Sequence, residues 1–244
     1  MVSYNDEIKS IQSQTKTTKE NSLNIEKQIN NSQSILFQEL INLYLVKRKR
    51  LSGVKNQYIF MISFIPIINL ENLLSFNFEI INASLERICK FIYQISTIWF
   101  INLPFQIEFN HQQQPSILNF KLFSPDSNIE QIHDLSNFEL KLFLNGISRL
   151  ILNIFEILKF FQLDNEIKLS KQLFNIDEMI YKIVNNNYNF NELSSDNDQS
   201  NPIKGNIDID ELTDLVYKHI LNKINQKNNE WHVVQNDFLI DEDQ

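Results

Sequence analysis

Glycine is nearly missing: the chain has three in 244 residues. That leaves no G-x-x-x-x-G-K-S/T or G-x-G-x-x-G loop to cradle a phosphate, no G-x-S-x-G nucleophile elbow, and no kinase-type H-R-D or D-F-G. Cysteine is almost as scarce. The single Cys89 excludes an internal disulfide framework and any cysteine-based zinc site within this chain, and a reducing compartment is the simpler reading. Basic excess is also lacking: a net charge of −8 and a pI near 5.1 argue against a nucleic-acid binder, which needs a basic stripe. The N-terminus, "MVSYNDEIKS", has neither the positive n-region nor the apolar core of a signal peptide, so no secretion is implied.

Long uncharged apolar runs are absent too. "YIFMISFIPIINL" (Tyr58 to Leu70) is interrupted by Pro66 and falls short of the roughly 20 residues a spanning helix requires. "LKLFLNGISRLILNIFEILKFF" (Leu140 to Phe161) is long enough, but Lys141, Arg149, Glu156 and Lys159 are costly at mid-bilayer, so it reads as a buried helix. His111, His133, His219 and His232 are scattered without metal-ligand spacing. The acidic "DIDELTD" (Asp208 to Asp214) and "DEDQ" lack a calcium loop's glycine and terminal glutamate, so a helix start and a solvated tail are the expectation. Cys89 lies near an apolar helical stripe and reads as a small buried hydrophobe. No active site, metal or cofactor is expected.

What is present is apolar mass and two kinds of periodicity. Hydrophobic residues make up 43% of the chain and phenylalanine alone contributes 19, enough to build a core over the middle of the sequence. Residues 5 to 50 hold almost no turn formers. A heptad runs through Ile8, Ile11, Thr15, Thr18, Ser22, Ile25, Ile29, Ser32, Leu36, Glu39, Leu43 and Val46. Seven of those twelve are apolar and the rest fall mainly in the middle, which describes a coiled-coil seam with a polar centre. The alternative is a solitary amphipathic helix or a partly disordered tail. The run "VKRKR" (Val46 to Arg50) reads as further helix surface rather than a contact for anionic lipid or RNA.

Beyond Gly53 the pattern changes to one or two strands with a bend at Pro66, and "FNFEI" (Phe76 to Ile80) is a further strand candidate. Ile81, Leu85, Ile88, Ile92, Ile95 and Trp99 recur at helical steps until Leu103-Pro104 stops them. "FQIEF" (Phe105 to Phe109) and "ILNFKLF" (Ile117 to Phe123) alternate as a hairpin or adjacent strands. Helices follow over Asn137 to Leu163 and Ile176 to Val184, then a polar insert, then a helix capped by Asp208 or Asp210 and running to about Gln226. Trp231 to Val234 reads as a short strand before an acidic end. The fold class is α+β, divided as an arm over 1–50, a globular domain over 51–185, a polar loop over 186–206, and a C-terminal helix, short strand and tail over 207–244.

A helix ending in Leu-Pro that turns at once into a strand, "IWFINLPFQIEF", occurs here in order with "FIPIINLENLLSFNFEIINASLERI", "QPSILNF", "LNGISRLILNIFEILKFFQL", "QLFNIDEMIYKIV" and "EWHVV". In that order these segments resemble the accessory subunits of the class III phosphatidylinositol 3-kinase. These are the autophagy-specific Barkor and the endosomal UV-radiation-resistance-associated protein, and the chain looks most like a divergent fungal Barkor-type subunit. The resemblance implies a coiled coil followed by a β-α repeated, Beclin-like C-terminal domain, with Leu85, Ile88, Ile92, Leu103, Pro104 and Trp231 in the core or family motif. It implies no catalysis. The implied partners are a Beclin-type subunit, meeting the seam Ile8, Ile11, Ile25, Ile29, Leu36, Leu43 and Val46, and the lipid kinase and its scaffold subunit in a four-protein complex. Membrane contact is then indirect or weak, and the location is cytoplasmic, peripheral to autophagosome-forming and vacuolar or endosomal membranes. Two other readings stand beside it: the endosomal branch of the same family, and a stand-alone peripheral membrane module using the amphipathic stretch from Leu212 to Ile224, whose acidic flank opposes anionic lipid.

Overall fold

The structure is a computed structural model that describes residues 4–50, 58–110, 115–117, 120–121, 130–163, 174–185 and 208–237, with the side chains of 5, 6, 120, 121 and 227–237 outside the description. The polar insert expected at 186–206, His111 and the acidic end lie outside it. So do the side chains of Trp231 and His232.

The first helix, α1, runs over Tyr4–Tyr44. No glycine or proline interrupts it, and its end is set by Leu45, which takes φ 46° and donates its N–H to the Ile41 carbonyl at 3.0 Å. The basic run, expected as helix surface, is instead strand β1, Lys47–Arg50. It pairs antiparallel with β2, Tyr58–Ile62, in the register Lys47↔Met61 to Arg50↔Tyr58. A helix that has already turned left-handed at Leu45 cannot continue, and β2 offers ladder partners to the residues that follow. A two-residue turn, Ser63-Phe64, joins β2 to β3, Ile65–Pro66. Both turn residues have positive φ, 47° and 66°, a primed turn made without glycine.

Helix α2 spans Phe78–Ile98, with Asn77 as N-cap accepting from the Ile80 N–H at 3.1 Å. "FNFEI" is therefore a cap and first turn rather than a strand, because Asn77 satisfies the orphan donors and Phe78 turns inward to meet the Phe143 ring edge-on at 5.7 Å. Nor does Leu103-Pro104 end this helix. Phe100, at φ 53°, occupies the left-handed C′ position, and the Ile101 N–H returns to the Ser96 carbonyl at 2.9 Å, closing a Schellman motif five residues earlier than the expected stop. A second three-stranded sheet follows: β4 (Ile107–Phe109), β5 (Pro115–Ile117) and β6 (Phe120–Lys121), antiparallel in that order.

Helix α3, Asn137–Phe160, starts at a capping box in which Ser136 and Glu139 exchange hydrogen bonds. The hydroxyl of Ser136 holds the Glu139 carboxyl below its ordinary range. Apolar on nearly every side, α3 is the central pillar, touched by α2, β5, β6, α4 (Ile176–Asn185) and α5 (Ile209–Asp237). The strand expected at Trp231 to Val234 is instead part of α5. A helix closes its own backbone hydrogen bonds without needing a sheet edge. The core joins Ile81, Leu85, Ile88 and Ile92 of α2 to Ile147, Ile151 and Ile154 of α3, Ile180 of α4 and Leu212, Val216 and Ile220 of α5. Among the described residues no helix is long and apolar enough to cross a membrane.

Candidate functional site

The arm helix carries two apolar stripes with different fates. Phe37, Leu40 and Tyr44 are buried and dock α1 onto the body. Phe37 meets the Trp99 ring edge-on at 6.2 Å and the Phe161 ring at 5.7 Å, while Tyr44 lies 5.1 Å from Phe91. Gln33 adds a polar tie, its Nε2 donating to the Ile98 carbonyl at 2.8 Å. As α1 numbers rise from Gln33 to Tyr44 the α2 partners fall from Ile98 to Phe91, so the two helices are antiparallel. The stretch of α1 before Gln33, more than half of the helix, projects past the end of α2. Burial raises the Tyr44 phenol above its ordinary range, against the nearby Arg87 charge. The last turns of α1, from Phe37 on, thus share the core of the body.

The second stripe is the seam. Ile8, Ile11, Ile25, Ile29, Leu36 and Leu43 are all exposed, Leu43 to 71%. At about 100° per residue, Ile25, Ile29, Leu36 and Leu43 fall roughly a quarter turn from the docked stripe, so docking α1 does not hide them. From Ile8 to Leu43 the row is about 50 Å long at 1.5 Å per residue. Val46 departs from it. It lies beyond the helix end and packs half-buried against the core, because the left-handed Leu45 turns the chain inward before the last heptad position is reached.

The polar centre of the seam is less polar than its letters. Thr15 donates its hydroxyl to the Ile11 carbonyl at 2.8 Å and Thr18 to Gln14 at 2.9 Å, while Ser32 donates to Gln28 at 2.9 Å. Each hydroxyl proton is spent inside the helix. The threonine methyls are then available to an apolar neighbour without stranding a donor. Among the described residues nothing covers this row.

Elsewhere among the described residues, several titratable side chains are tied into the packing. Cys89 is fully buried and burial pushes its thiol far up, which removes the reactive thiolate. His219 stacks on the Phe174 ring at 4.8 Å and brings Nε2 within 3.1 Å of Glu71. Lys223 bonds the same carboxylate at 2.5 Å and holds it below the ordinary carboxylate range. That cluster fastens α5 to the turn before α2. Among the described residues no group of three or more His, Cys, Asp or Glu side chains is placed to hold a metal ion.

Of the motif residues expected from the sequence, Leu85, Ile88 and Ile92 lie in the α2 core, Leu103 is half-buried and Pro104 is exposed. Trp231 falls on α5. Sequence reasoning missed Asn153, which is 0% exposed. Its Oδ1 accepts from the Phe105 N–H at 3.0 Å and its Nδ2 donates to the Phe105 carbonyl at 2.7 Å. The side-chain amide thereby pairs with the backbone of the segment after Pro104 as a neighbouring strand would. The signal was legible as the one polar letter between Arg149 and Glu156 in "RLILNIFEIL". Phe37, Leu40 and Tyr44 were legible too, as a second stripe at steps of three and four.

A family model described as "Vacuolar sorting 38 and autophagy-related subunit 14" matches residues 3–187, the stretch from α1 through α4. No curated protein and no solved structure matches the chain.

Proposed function

The chain belongs to the vacuolar sorting 38 and autophagy-related subunit 14 family, and from that premise we propose that its arm is the surface through which it joins its complex. The protein is a non-catalytic accessory subunit of the class III phosphatidylinositol 3-kinase complex, directing phosphatidylinositol 3-phosphate production to autophagosome formation. The proposal assigns the pairing: a helix of the Beclin-type subunit lies along Ile8, Ile11, Ile25, Ile29, Leu36 and Leu43. The kinase and its scaffold subunit complete a four-protein assembly. The body is read as a β-α repeat, supported by the succession of a three-stranded sheet and a long helix, β1 to β3 with α2 and then β4 to β6 with α3.

One observation carries the pairing: the exposed row on α1 that no element of the described chain covers. Burying an isoleucine or leucine knob contributes roughly 1.5–3 kcal/mol, so putting a carboxylate in its place removes that gain and adds a desolvation cost. A tagged chain carrying Ile25→Asp and Ile29→Asp is expected to lose recovery of the Beclin-type subunit, while Gln38→Asp, on the far side of the helix, retains it. Equal recovery by both variants ends the assignment. In cells, loss of the chain is expected to block starvation-induced autophagosome formation. A defect confined to vacuolar sorting in fed cells would favour the sorting branch that the family description also names.

A further inference from the structure

We propose that the edge strand β1 and the adjoining Ser63-Phe64 turn form a contact site for an anionic bilayer surface. This goes beyond the arm-pairing reading and does not depend on it. Between Glu39 and Glu71 the sequence has no carboxylate and five bases, Lys47, Arg48, Lys49, Arg50 and Lys55, in a chain whose net charge is −8. All four residues of β1 are exposed, and among the described residues none of them is in an ion pair. Folding as a strand rather than as helix surface lays the four charges along one sheet edge, about 13 Å long. Arg48 is held there by its guanidinium, 3.7 Å above the Tyr58 ring. Lys47 and Lys49 point to the opposite face, the one shared with their cross-strand partners Met61 and Ile59.

The register brings an apolar tip to the same corner. Lys47 pairs with Met61 and Ile62 with Ile65, so the turn at Ser63-Phe64 lies at the Lys47 end of the sheet. Ser63 fixes it, donating its N–H to the last carbonyl of α1, Tyr44, at 2.6 Å. Phe64 is 71% exposed at φ 66°, a large apolar side chain in solvent at a position whose backbone favours glycine. Lysine and arginine on an edge strand also discourage edge-to-edge pairing, which accounts for the charges but not for Phe64. A bilayer accounts for both: lipid phosphates meet the basic side chains, and the phenyl ring enters the interface below them.

Flotation of the full-length chain with phosphatidylcholine vesicles, with and without about 30 mol% phosphatidylserine, tests this directly. Binding is expected only to the anionic vesicles and should weaken with added salt. At about a fivefold loss per basic residue removed, Lys47→Gln with Lys49→Gln should lower binding roughly 10- to 30-fold, and Phe64→Ser should lower it several-fold. Far-UV spectra and recovery of the Beclin-type subunit should be unchanged, since neither lysine packs on Tyr58. A wild-type chain that does not float, flotation indifferent to phosphatidylserine, or a double variant that floats as wild type each overturns the proposal. So does a double variant that floats normally but loses an RNA or protein partner.

Discussion

Asn153 is the most exacting test of how the body is held together. Replacing it with alanine removes one accepted and one donated hydrogen bond to Phe105, 3.0 and 2.7 Å long, between α3 and a segment 48 residues earlier in the chain. Each bond contributes about 0.5–1.5 kcal/mol net, and the abandoned N–H and carbonyl add a penalty of about 1–3 kcal/mol that water offsets in part, because Phe105 is half-buried. The expected loss is about 3 kcal/mol. With a urea m-value near 3 kcal/mol/M, the midpoint should fall by about 1 M at unchanged slope, and amide exchange at Ile107 in β4 should accelerate. Asn153→Asp sharpens the test. It keeps an acceptor for the Phe105 N–H but turns an ionised oxygen toward the Phe105 carbonyl, so at pH 7 it should cost more than alanine. Burial and that carbonyl raise the folded pKa of the new carboxyl above its unfolded value near 3.9. Its contribution is therefore fully present below about pH 4 and lost as pH rises through the folded pKa. The deficit relative to wild type should narrow on acidification. An alanine variant within about 1 kcal/mol of wild type, or an aspartate variant indistinguishable from alanine at both pH values, would refute the amide-pairing account.

Three further outcomes follow from the same physical chemistry. Phe100→Gly should raise stability by about 0.5–1 kcal/mol in thermal melts, because the residue is 79% exposed and sits at φ 53° in a Schellman cap; an unchanged or lower melting temperature would contradict the cap assignment. Glu71→Gln should loosen α5, read as faster amide exchange around Val216. Since Lys223 lowers the folded pKa of Glu71, the wild-type advantage is present above the unfolded value near 4.3 and lost as pH falls through the lower folded value. The carboxylate is half exposed, so the effect should stay within about 1 kcal/mol. Cys89 should resist alkylation in the native chain at pH 8 and react promptly in denaturant, and rapid native labelling would show that α2 opens.

The sequence by itself determined the long arm, the helices on either side of the Leu-Pro segment and the strand within "FQIEF", each from periodicity. The single strand expected over Ile117 to Phe123 is instead divided: Ile117 ends β5, which begins at Pro115 inside "NHQQQPS" and pairs with β4, and Phe120–Lys121 folds back on β5 as β6. Where elements stop was legible only in part. Leu45, Phe100 and Gln162 all take positive φ at helix ends where a glycine would have announced the cap, so in a glycine-poor chain those boundaries carry no local letter. The basic run became a strand because β2 offered it ladder partners. Trp231 to Val234 instead continues α5, where the helix supplies its own backbone partners. Tertiary structure alone decided which stripe of α1 is spent on the body and which is left over. Phe37, Leu40 and Tyr44 found Trp99, Phe161 and Phe91 in the body of the same chain, while the row from Ile8 to Leu43 stays exposed among the described residues. A periodic pattern encodes an apolar face, but only packing reveals whether that face already has a partner.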